Sequence, residues 1–448
     1  MLNGVPGVTL DVLPRWRGDI LLVLSGVAYA SYSLLGRTVL TDTNTAAITA
    51  RSIVWGAVVM APLAALEWGA GARPSATGSA LLGTLYLALV ITAGAYLVWN
   101  WALARVEAAR AAPFLTVQPV VGALLGAIVL GVPSDRRGYF QHMLTTVLKL
   151  YEDGAPAGDL KVTNTALKEL RYAYKVFAPY RDVRKVTVFG SARTAPTQSA
   201  AMAALMFGRR MVEGGWMVVT GAGAGIMGAA QEGAGGERSF GLNIRLPFEQ
   251  EANPWIASDP KLITFKYFFT RKLFLVKEAS GIALFPGGFG TMDEAFEVLT
   301  LMQTGKATIV PMVLVETDQT PYWRKWDTFV RETLAAQNLI DPIDTSFYRI
   351  VDTVDEAVEQ LMTFYRVYHS SRIVGDNLVF RLNHALRDGD LMLIQQRFED
   401  VLKGRLDQAP GPFPQESNEY PDLPRLLVPF NRSSYARLRQ LIDFVNTL

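Results

Sequence analysis

Four stretches ahead of residue 134 are almost free of charge, and they dictate what the first third of this chain can fold into. Ile20 to Gly36 carries no charged residue and Thr43 to Leu66 carries only Arg51. Pro74 to Ala104 and Ala111 to Ser134 carry none. A membrane-crossing helix needs about 20 mostly apolar residues, so each stretch is helix-sized. Soluble helices keep a polar face. Here Gly, Ala, Ser and Thr are instead mixed through the apolar runs, as close packing between membrane helices favours. A cleaved signal peptide would account for the first stretch only. The other reading, one very apolar soluble bundle, lacks the polar face. The pattern predicts about four transmembrane helices over residues 1–134.

The rest of the chain differs in kind. Half of its 448 residues are apolar, but the excess lies mostly before residue 134. The length allows two or three domains, each with its own core. A formal charge of +2 points to no nucleic acid partner. There is no cysteine, which excludes disulfides, thiolate nucleophiles and Cys-ligated zinc. Three scattered histidines, His142, His369 and His384, predict no metal site. Any catalysis therefore rests on carboxylates, arginine, lysine, hydroxyls and backbone amides.

Within the apolar third, Trp99-Asn-Trp-Ala-Leu-Ala-Arg-Val, Ala112-Pro-Phe-Leu and Gln118-Pro-Val-Val-Gly-Ala-Leu-Leu-Gly-Ala resemble the later helices of an EamA-type repeat of the drug/metabolite transporter superfamily. The likeness runs from about Arg17 to Gly131. It then departs: Val132-Pro-Ser-Asp-Arg-Arg turns polar where such repeats continue into one more helix. The family's transporters are built from two five-helix repeats, so four helices imply a membrane anchor rather than a transporter acting alone. Arg15, Arg17, Arg73, Arg136 and Arg137 fall on one side of a four-helix arrangement, and Arg37, Arg51, Arg105 and Arg110 on the other. That slight excess favours a cytoplasmic soluble part.

After a helical connector over residues 135–184, short β-rich runs alternate with helical ones. The predicted strands are Val186-Thr-Val-Phe, Met217-Val-Val-Thr, Ser239-Phe-Gly-Leu-Asn-Ile, Leu262-Ile-Thr-Phe, Gly281-Ile-Ala-Leu-Phe and Ile309-Val-Pro-Met-Val-Leu-Val. Between them lie helix-length stretches at 198–213, 226–234 and 291–304. Near-continuous apolar strands separated by helices predict an α/β domain with a parallel sheet covered on both faces. Such sheets bind ligands at the carboxyl ends of their strands. Glycine-rich turns fall at three of those ends: Gly190-Ser-Ala-Arg, Gly221-Ala-Gly-Ala-Gly and Pro286-Gly-Gly-Phe-Gly-Thr. Glycine lets backbone N–H groups approach an anion, and a following helix adds its dipole. Three such turns on one edge predict a phosphate ligand. Gly223-x-Gly225-x-x-Gly228 also matches the dinucleotide fingerprint, but it follows the second strand. The next strand ends in Asn243-Ile-Arg245, without the acid that fingerprint needs.

Phe285-Pro-Gly-Gly-Phe-Gly-Thr-Met-Asp-Glu294 carries most of the chemistry. Thr291 and Glu294 have the spacing of a capping box, which would leave the preceding glycines unexplained. The functional reading sets phosphate oxygens on the amides of Gly287, Gly288, Gly290 and Thr291, with Glu294 one turn on, facing the ribose. Arg271 and Lys272 stand at the start of another helix, where cations are unfavourable unless an anion is near.

Gly190-Ser-Ala-Arg, Thr220-Gly-Ala-Gly-Ala-Gly-Ile-Met, Gly241-Leu-Asn-Ile-Arg through Glu251-Ala-Asn, Phe268-Phe-Thr-Arg-Lys and Pro286-Gly-Gly-Phe-Gly-Thr-Met-Asp-Glu resemble the LONELY GUY (LOG) family in order and spacing. The likeness covers roughly residues 185–365. The family's Arg-Lys pair and Pro-Gly-Gly-x-Gly-Thr-x-x-Glu are both intact. The second turn departs, with Gly-Ala-Gly-Ala-Gly where members commonly have Gly-Gly-Gly-Pro-Gly. The resemblance implies a Rossmann-like doubly wound parallel sheet at 185–368 and a small α+β appendage at 369–448. It implies hydrolysis of a nucleoside 5′-monophosphate, a cytokinin nucleotide or AMP, to free base and ribose 5-phosphate, with no cofactor. Arg271 and Glu294 are the implied catalytic residues. Ser191, Arg193, Gly221, Gly223, Gly225, Lys272, Gly287, Gly288, Gly290 and Thr291 are implied for substrate and phosphate. Asp293 and Glu297 are expected as solvated helix residues. A homo-oligomer is implied. The alternatives are a nucleotide-binding sensor without catalysis, or a regulator of a transporter. In the tail, strand-like and helix-like runs alternate, and Gln408–Pro424 reads as a Pro-rich loop.

Overall fold

Tyr32, Val39 and residues 44–69, 84–105, 134–245, 251–317, 321–375, 377–413, 416 and 419–448 are described by this computed structural model. The chain separates into two units, Met1–Pro156 and Ala157–Leu448.

In the first unit, α1 (Thr45–Gly69) leaves Val54, Trp55, Val58, Val59 and Met60 exposed. A π-helical run, Leu87–Gly94, continues into α2 (Ala95–Leu103). Asn100 of α2 is fully buried, and its Nδ2 donates to Thr49 Oγ1 at 2.9 Å and to the Tyr32 hydroxyl at 2.8 Å. An amide in apolar surroundings needs such partners, so this cluster ties α2 to α1. Among the described residues one helical stretch is long and apolar enough to cross a membrane, Thr45–Pro62 of α1. The spans expected at Ile20–Gly36 and Ala111–Ser134 lie almost wholly outside the described residues. The third is described only from residue 84 onward. The unit ends with α3 (Ser134–Glu152).

The second unit begins with α4 (Ala157–Phe177), so the connector expected at 135–184 is shared between the units. Its strands are β1 (Lys185–Phe189), β2 (Met217–Thr220), β3 (Ser239–Ile244), β4 (Leu262–Phe265), β5 (Gly281–Leu284), β6 (Met312–Val315) and β7 (Tyr348–Val351). They form one parallel sheet in the order β4-β3-β2-β1-β5-β6-β7. Side chains alternate between two cores, as a strand's period of two requires. Met217, Val219, Ile282, Leu284, Met312 and Leu314 face one core, and Val218, Ala283, Val313 and Val315 the other. The second core is closed by α5 (Ser199–Glu213) and α6 (Ile226–Ala234) through Ala204, Phe207, Met211 and Ile226. The first is closed by α4, α7 (Phe268–Lys277), α8 (Phe289–Gln303) and α9 (Tyr322–Phe329). Phe177 of α4 stacks on Phe240 at 4.3 Å. Truncating so buried an aromatic costs about 3–5 kcal/mol. The seventh strand and α10 (Val354–Thr363), which closes the second core with Leu361, extend the pattern seen in the sequence. The sixth strand starts at Met312 rather than Ile309, because Pro311 has no N–H to give the ladder.

The C-terminal appendage is antiparallel. Its strands β8 (Tyr368–Val374), β9 (Asn377–Leu382), β10 (Asp407–Ala409) and β11 (Arg425–Val428) run in the order β10-β11-β9-β8. They are accompanied by α11 (Asp388–Arg397) and α12 (Tyr435–Val445). The loop expected from Gln408 therefore begins inside β10. Phe380, Leu426 and Leu441 belong to the same core as the first face of the parallel sheet, so the appendage shares that core.

Candidate active site

The strand order reverses between β1, from which β2, β3 and β4 are added to one side, and β5, from which β6 and β7 are added to the other. At such a switch point the loops leaving the two strands part and open a crevice. A cavity of about 810 Å³ lies there, walled by the turns after β1, β2 and β5. Ser191, Arg193, Gly221, Gly223, Arg271, Gly287, Gly288, Gly290, Thr291 and Glu294 all line it.

The turns are held against one another by their glycines. Ser191 N–H donates to Pro286 O at 3.1 Å, joining the first turn to the third. A Cβ on Gly287 would overlap Thr291 Oγ1 and sit 2.9 Å from Ser191 N. Gly221 leaves room for a cation, since a Cβ there would lie 2.7 Å from Arg271 Nη2. Ala222 takes a left-handed φ of 63°, a conformation that costs a non-glycine residue roughly 1 kcal/mol or more. It is pinned by Thr220 Oγ1, which accepts from its N–H at 3.0 Å, and by its own carbonyl, which accepts from Asn253 N–H at 2.9 Å. Asn253 Nδ2 also donates to Gly223 O at 3.0 Å.

Three expectations are corrected. Gly225 does not line the cavity. It has φ 63°, and a Cβ there would strike Ser191 O, so its place is the seam between the first two turns. Lys272 does not line it either. Its Nζ lies 2.7 Å from Asp293 Oδ2 and 3.0 Å from Glu297 Oε2, so the anion its position called for is the protein's own, and those acids are not merely solvated. The Thr291 amide donates to Gly288 O at 3.0 Å, which leaves its hydroxyl rather than its N–H for a ligand.

The capping box does not form. Helix α8 starts one residue after Gly288, which caps it without a side-chain bond. Thr291 is thus already inside the first turn, too far along to cap. Glu294 is 7% exposed, and its Oε2 has no hydrogen-bond partner among the described residues. Burial pushes its carboxyl up to about 7, against the pull of Lys272 and Arg271. Arg271 Nε is likewise buried and unpartnered, and burial holds its guanidinium below its ordinary value despite Glu294. Among the described residues these two form no ion pair within 4 Å. Buried polar atoms without partners, here Glu294 Oε2 and Arg271 Nε, are costly, and on a cavity wall they point to a ligand.

Sequence reasoning did not reach three further residues. Asn243, at the end of β3, lines the cavity. Tyr322 also lines it, and its hydroxyl donates to Gly287 O. Glu169, on the connector helix α4, accepts from Lys266 N–H at 2.7 Å and from Thr270 Oγ1 at 2.6 Å, beside Arg271. Only Asn243 had a visible signal, lying inside the Gly241–Asn253 segment that carried the resemblance.

Residues 227–361 match the family model described as possible lysine decarboxylase, and residues 16–141 match that of the EamA-like transporter family. An uncharacterized transporter of Archaeoglobus fulgidus is 32% identical over 27% of this chain and 42% of its own length. A probable cytokinin riboside 5′-monophosphate phosphoribohydrolase of Oryza sativa subsp. japonica is 29% identical over 28% of this chain and 54% of its own. The chain thus spans about half, or less, of each of these relatives. Among solved structures, the molybdenum cofactor carrier protein MCP from Chlamydomonas reinhardtii is similar at 22% identity, over 40% of this chain and 98% of that one, with a TM-score of 0.29. The EamA match indicates a membrane association. The chain therefore carries a LOG-family domain in its C-terminal part, the family described as possible lysine decarboxylase, behind an N-terminal EamA domain.

Proposed function

We propose that the chain hydrolyses the N-glycosidic bond of a nucleoside 5′-monophosphate, with a cytokinin riboside monophosphate or AMP as substrate. The observation that supports this best is Glu294, a buried carboxylate on the cavity wall with one oxygen unpartnered and a proton affinity near neutrality. As the bond breaks, its electron pair leaves with the base nitrogen and positive charge grows on the sugar ring. A carboxylate alongside stabilises that charge. Water then adds to the sugar carbon, and Glu294 takes its proton. Glu294 then gives that proton up to the departing base nitrogen and returns to the carboxylate. Arg271 holds the nucleotide and supports the leaving base. The backbone of Gly287, Gly288 and Gly290, the hydroxyls of Thr291 and Ser191, and Arg193 hold the phosphate. Gly221 and Gly223 let the nucleotide approach the second turn.

The membrane segment anchors this activity with its catalytic unit in the cytoplasm. Exposed Phe269 and Leu273 on α7 and Phe289 on α8 support assembly with a second copy. Incubating the full chain in detergent micelles with a panel of nucleoside 5′-monophosphates should release free base and ribose 5-phosphate. The unphosphorylated nucleosides should be poor substrates. Bound AMP with no adenine release would instead identify a nucleotide sensor.

A further inference from the structure

A second cavity, of about 260 Å³, lies in the 157–448 unit between the turn that follows α8 and the C-terminal sheet. Lys306, Arg372 and Arg432 line it, with Thr308 and Ser371, and among the described residues no carboxylate does. Ile309, Leu438 and Ile442 supply an apolar wall. Arg372 Nη1 has Glu419 Oε2 at 3.3 Å, so its charge is partly met. Among the described residues Lys306 and Arg432 have no acid within 4 Å. The carboxyl end of α8 contributes about half a negative charge, too little to offset these cations.

Lys306 and Arg432 are exposed, and the backbone that carries Arg432 is held in place. Arg432 has a left-handed φ of 62°, which a non-glycine residue keeps only where its surroundings impose it. Asn431 imposes it here: its Oδ1 accepts from Ser433 N–H at 2.9 Å and its Nδ2 donates to Asp400 O at 2.9 Å. On the opposite side Gly305, with φ 67°, brings the turn so close to Tyr435 that a Cβ would overlap the ring. Gly305 is the left-handed glycine that ends α8, with Lys306 N–H donating to Leu301 O at 2.8 Å, so the turns that carry Lys306 and Arg432 each hold a fixed backbone at the cavity.

We propose that this cavity binds a compact organic oxyanion, a phosphate monoester or a carboxylate carrying an apolar body. Its volume suits one ring and one charged group rather than a dinucleotide. The site lies at the carboxyl end of α8, roughly 15–20 Å of helix from Thr291 and Glu294 near its amino end, and the proposal does not depend on the glycosidase reading.

Calorimetric titration of the full chain in detergent micelles tests it, with phenyl phosphate, benzoate and inorganic phosphate as probes. Phenyl phosphate or benzoate should bind at least tenfold more tightly than inorganic phosphate, and which of the two does so identifies the headgroup. That binding should survive Arg271→Ala and weaken by about tenfold or more in the Lys306→Ala/Arg432→Ala double variant. Arg432→Gly, which relieves the backbone, should weaken it similarly without lowering the melting temperature. Binding untouched by the double variant, loss of all binding with Arg271→Ala, equal affinity for inorganic phosphate, or no binding of any probe would each overturn the proposal.

Discussion

Glu169 Oε2 accepts a 2.6 Å hydrogen bond from Thr270 Oγ1, one residue ahead of Arg271, while its Oε1 accepts from Lys266 N–H. A carboxylate from the connector helix thereby sits at the amino end of α7. The helix has no side-chain cap of its own there, and its unpaired amides and dipole favour an anion. The connector is thus part of what aims Arg271.

Glu169→Ala should remove about 1–3 kcal/mol of stability, the range for charge-assisted hydrogen bonds left unmade. It should also slow base release by loosening α7. Glu169→Gln, which keeps an acceptor, should lose less of both. Thermal unfolding and base-release rates on the full chain check this. Equal behaviour of all three proteins would show that the contact positions nothing.

Glu294 gives a pH prediction with a definite sign. Its folded value of about 7 lies above the ordinary 4.5, so the folded state holds a proton that the unfolded chain has released. Stability from this group is therefore full below pH 4.5 and declines as pH rises to 7. At about 1.4 kcal/mol per pH unit, burying the charge costs roughly 3 kcal/mol above that. Glu294→Gln should melt above the parent at pH 8, with the gap closing toward pH 4.5, and should lose base release. A gap independent of pH would show that this carboxyl is not the titrating group.

Much of the fold could be read in the sequence because its local signals agree. The apolar runs at β1, β2 and β5 are each followed closely by glycines and then a helix, and the sheet needs little else. What could not be read was long-range. Lys272 looked like a phosphate cation because α8 was not yet known to carry Asp293 and Glu297 alongside it. The capping box was a fair reading of Thr291 and Glu294 until the helix start was fixed at Phe289. Glu169 lies about a hundred residues from Thr270, whose hydroxyl it accepts from, a distance no local pattern bridges. Gly225 and Gly287 look alike in sequence, yet one faces a neighbouring turn and the other the cavity.

The three glycines of the third turn separate phosphate binding from plain turn geometry. A Cβ on Gly287 would collide with Thr291 and Ser191, whereas at Gly288 and Gly290 it would meet open space. Gly287→Ala should therefore destabilise the chain by about 1–3 kcal/mol through overpacking. Gly288→Ala and Gly290→Ala should leave stability within about 1 kcal/mol, with alanine mildly favoured inside α8 at position 290. If phosphate occupies that space, both should still raise KM for nucleoside monophosphates by about tenfold or more. Unchanged KM in these two stable variants would remove the phosphate from this turn.

The appendage owes its integrity to one buried acid. Glu416 is fully buried, with Arg425 Nε at 3.0 Å and Arg381 Nε at 3.1 Å, and it accepts from Phe413 N–H at 3.0 Å. Burial alone would push its carboxyl up. The hydrogen bonds from Arg425, Phe413 and Arg381 outweigh that and hold it below the ordinary value. A depressed carboxylate contributes stability that is present above its unfolded value and lost as pH falls through the folded one. Acid should therefore loosen this sheet while making Glu294 easier to bury, so the two acids pull in opposite directions as pH falls. Glu416→Gln leaves the buried Arg425 guanidinium without its counter-charge, while Arg381 keeps Glu419 at 2.9 Å, and should cost about 3–5 kcal/mol. Hydrogen exchange should show the loss first in β9 and β11, which carry those arginines. KM for nucleotide should stay unchanged in the fraction that remains folded, because none of the three residues lines the larger cavity. Protection lost at the same time in β1 and β5 would show that the appendage and the parallel sheet unfold as one cooperative unit.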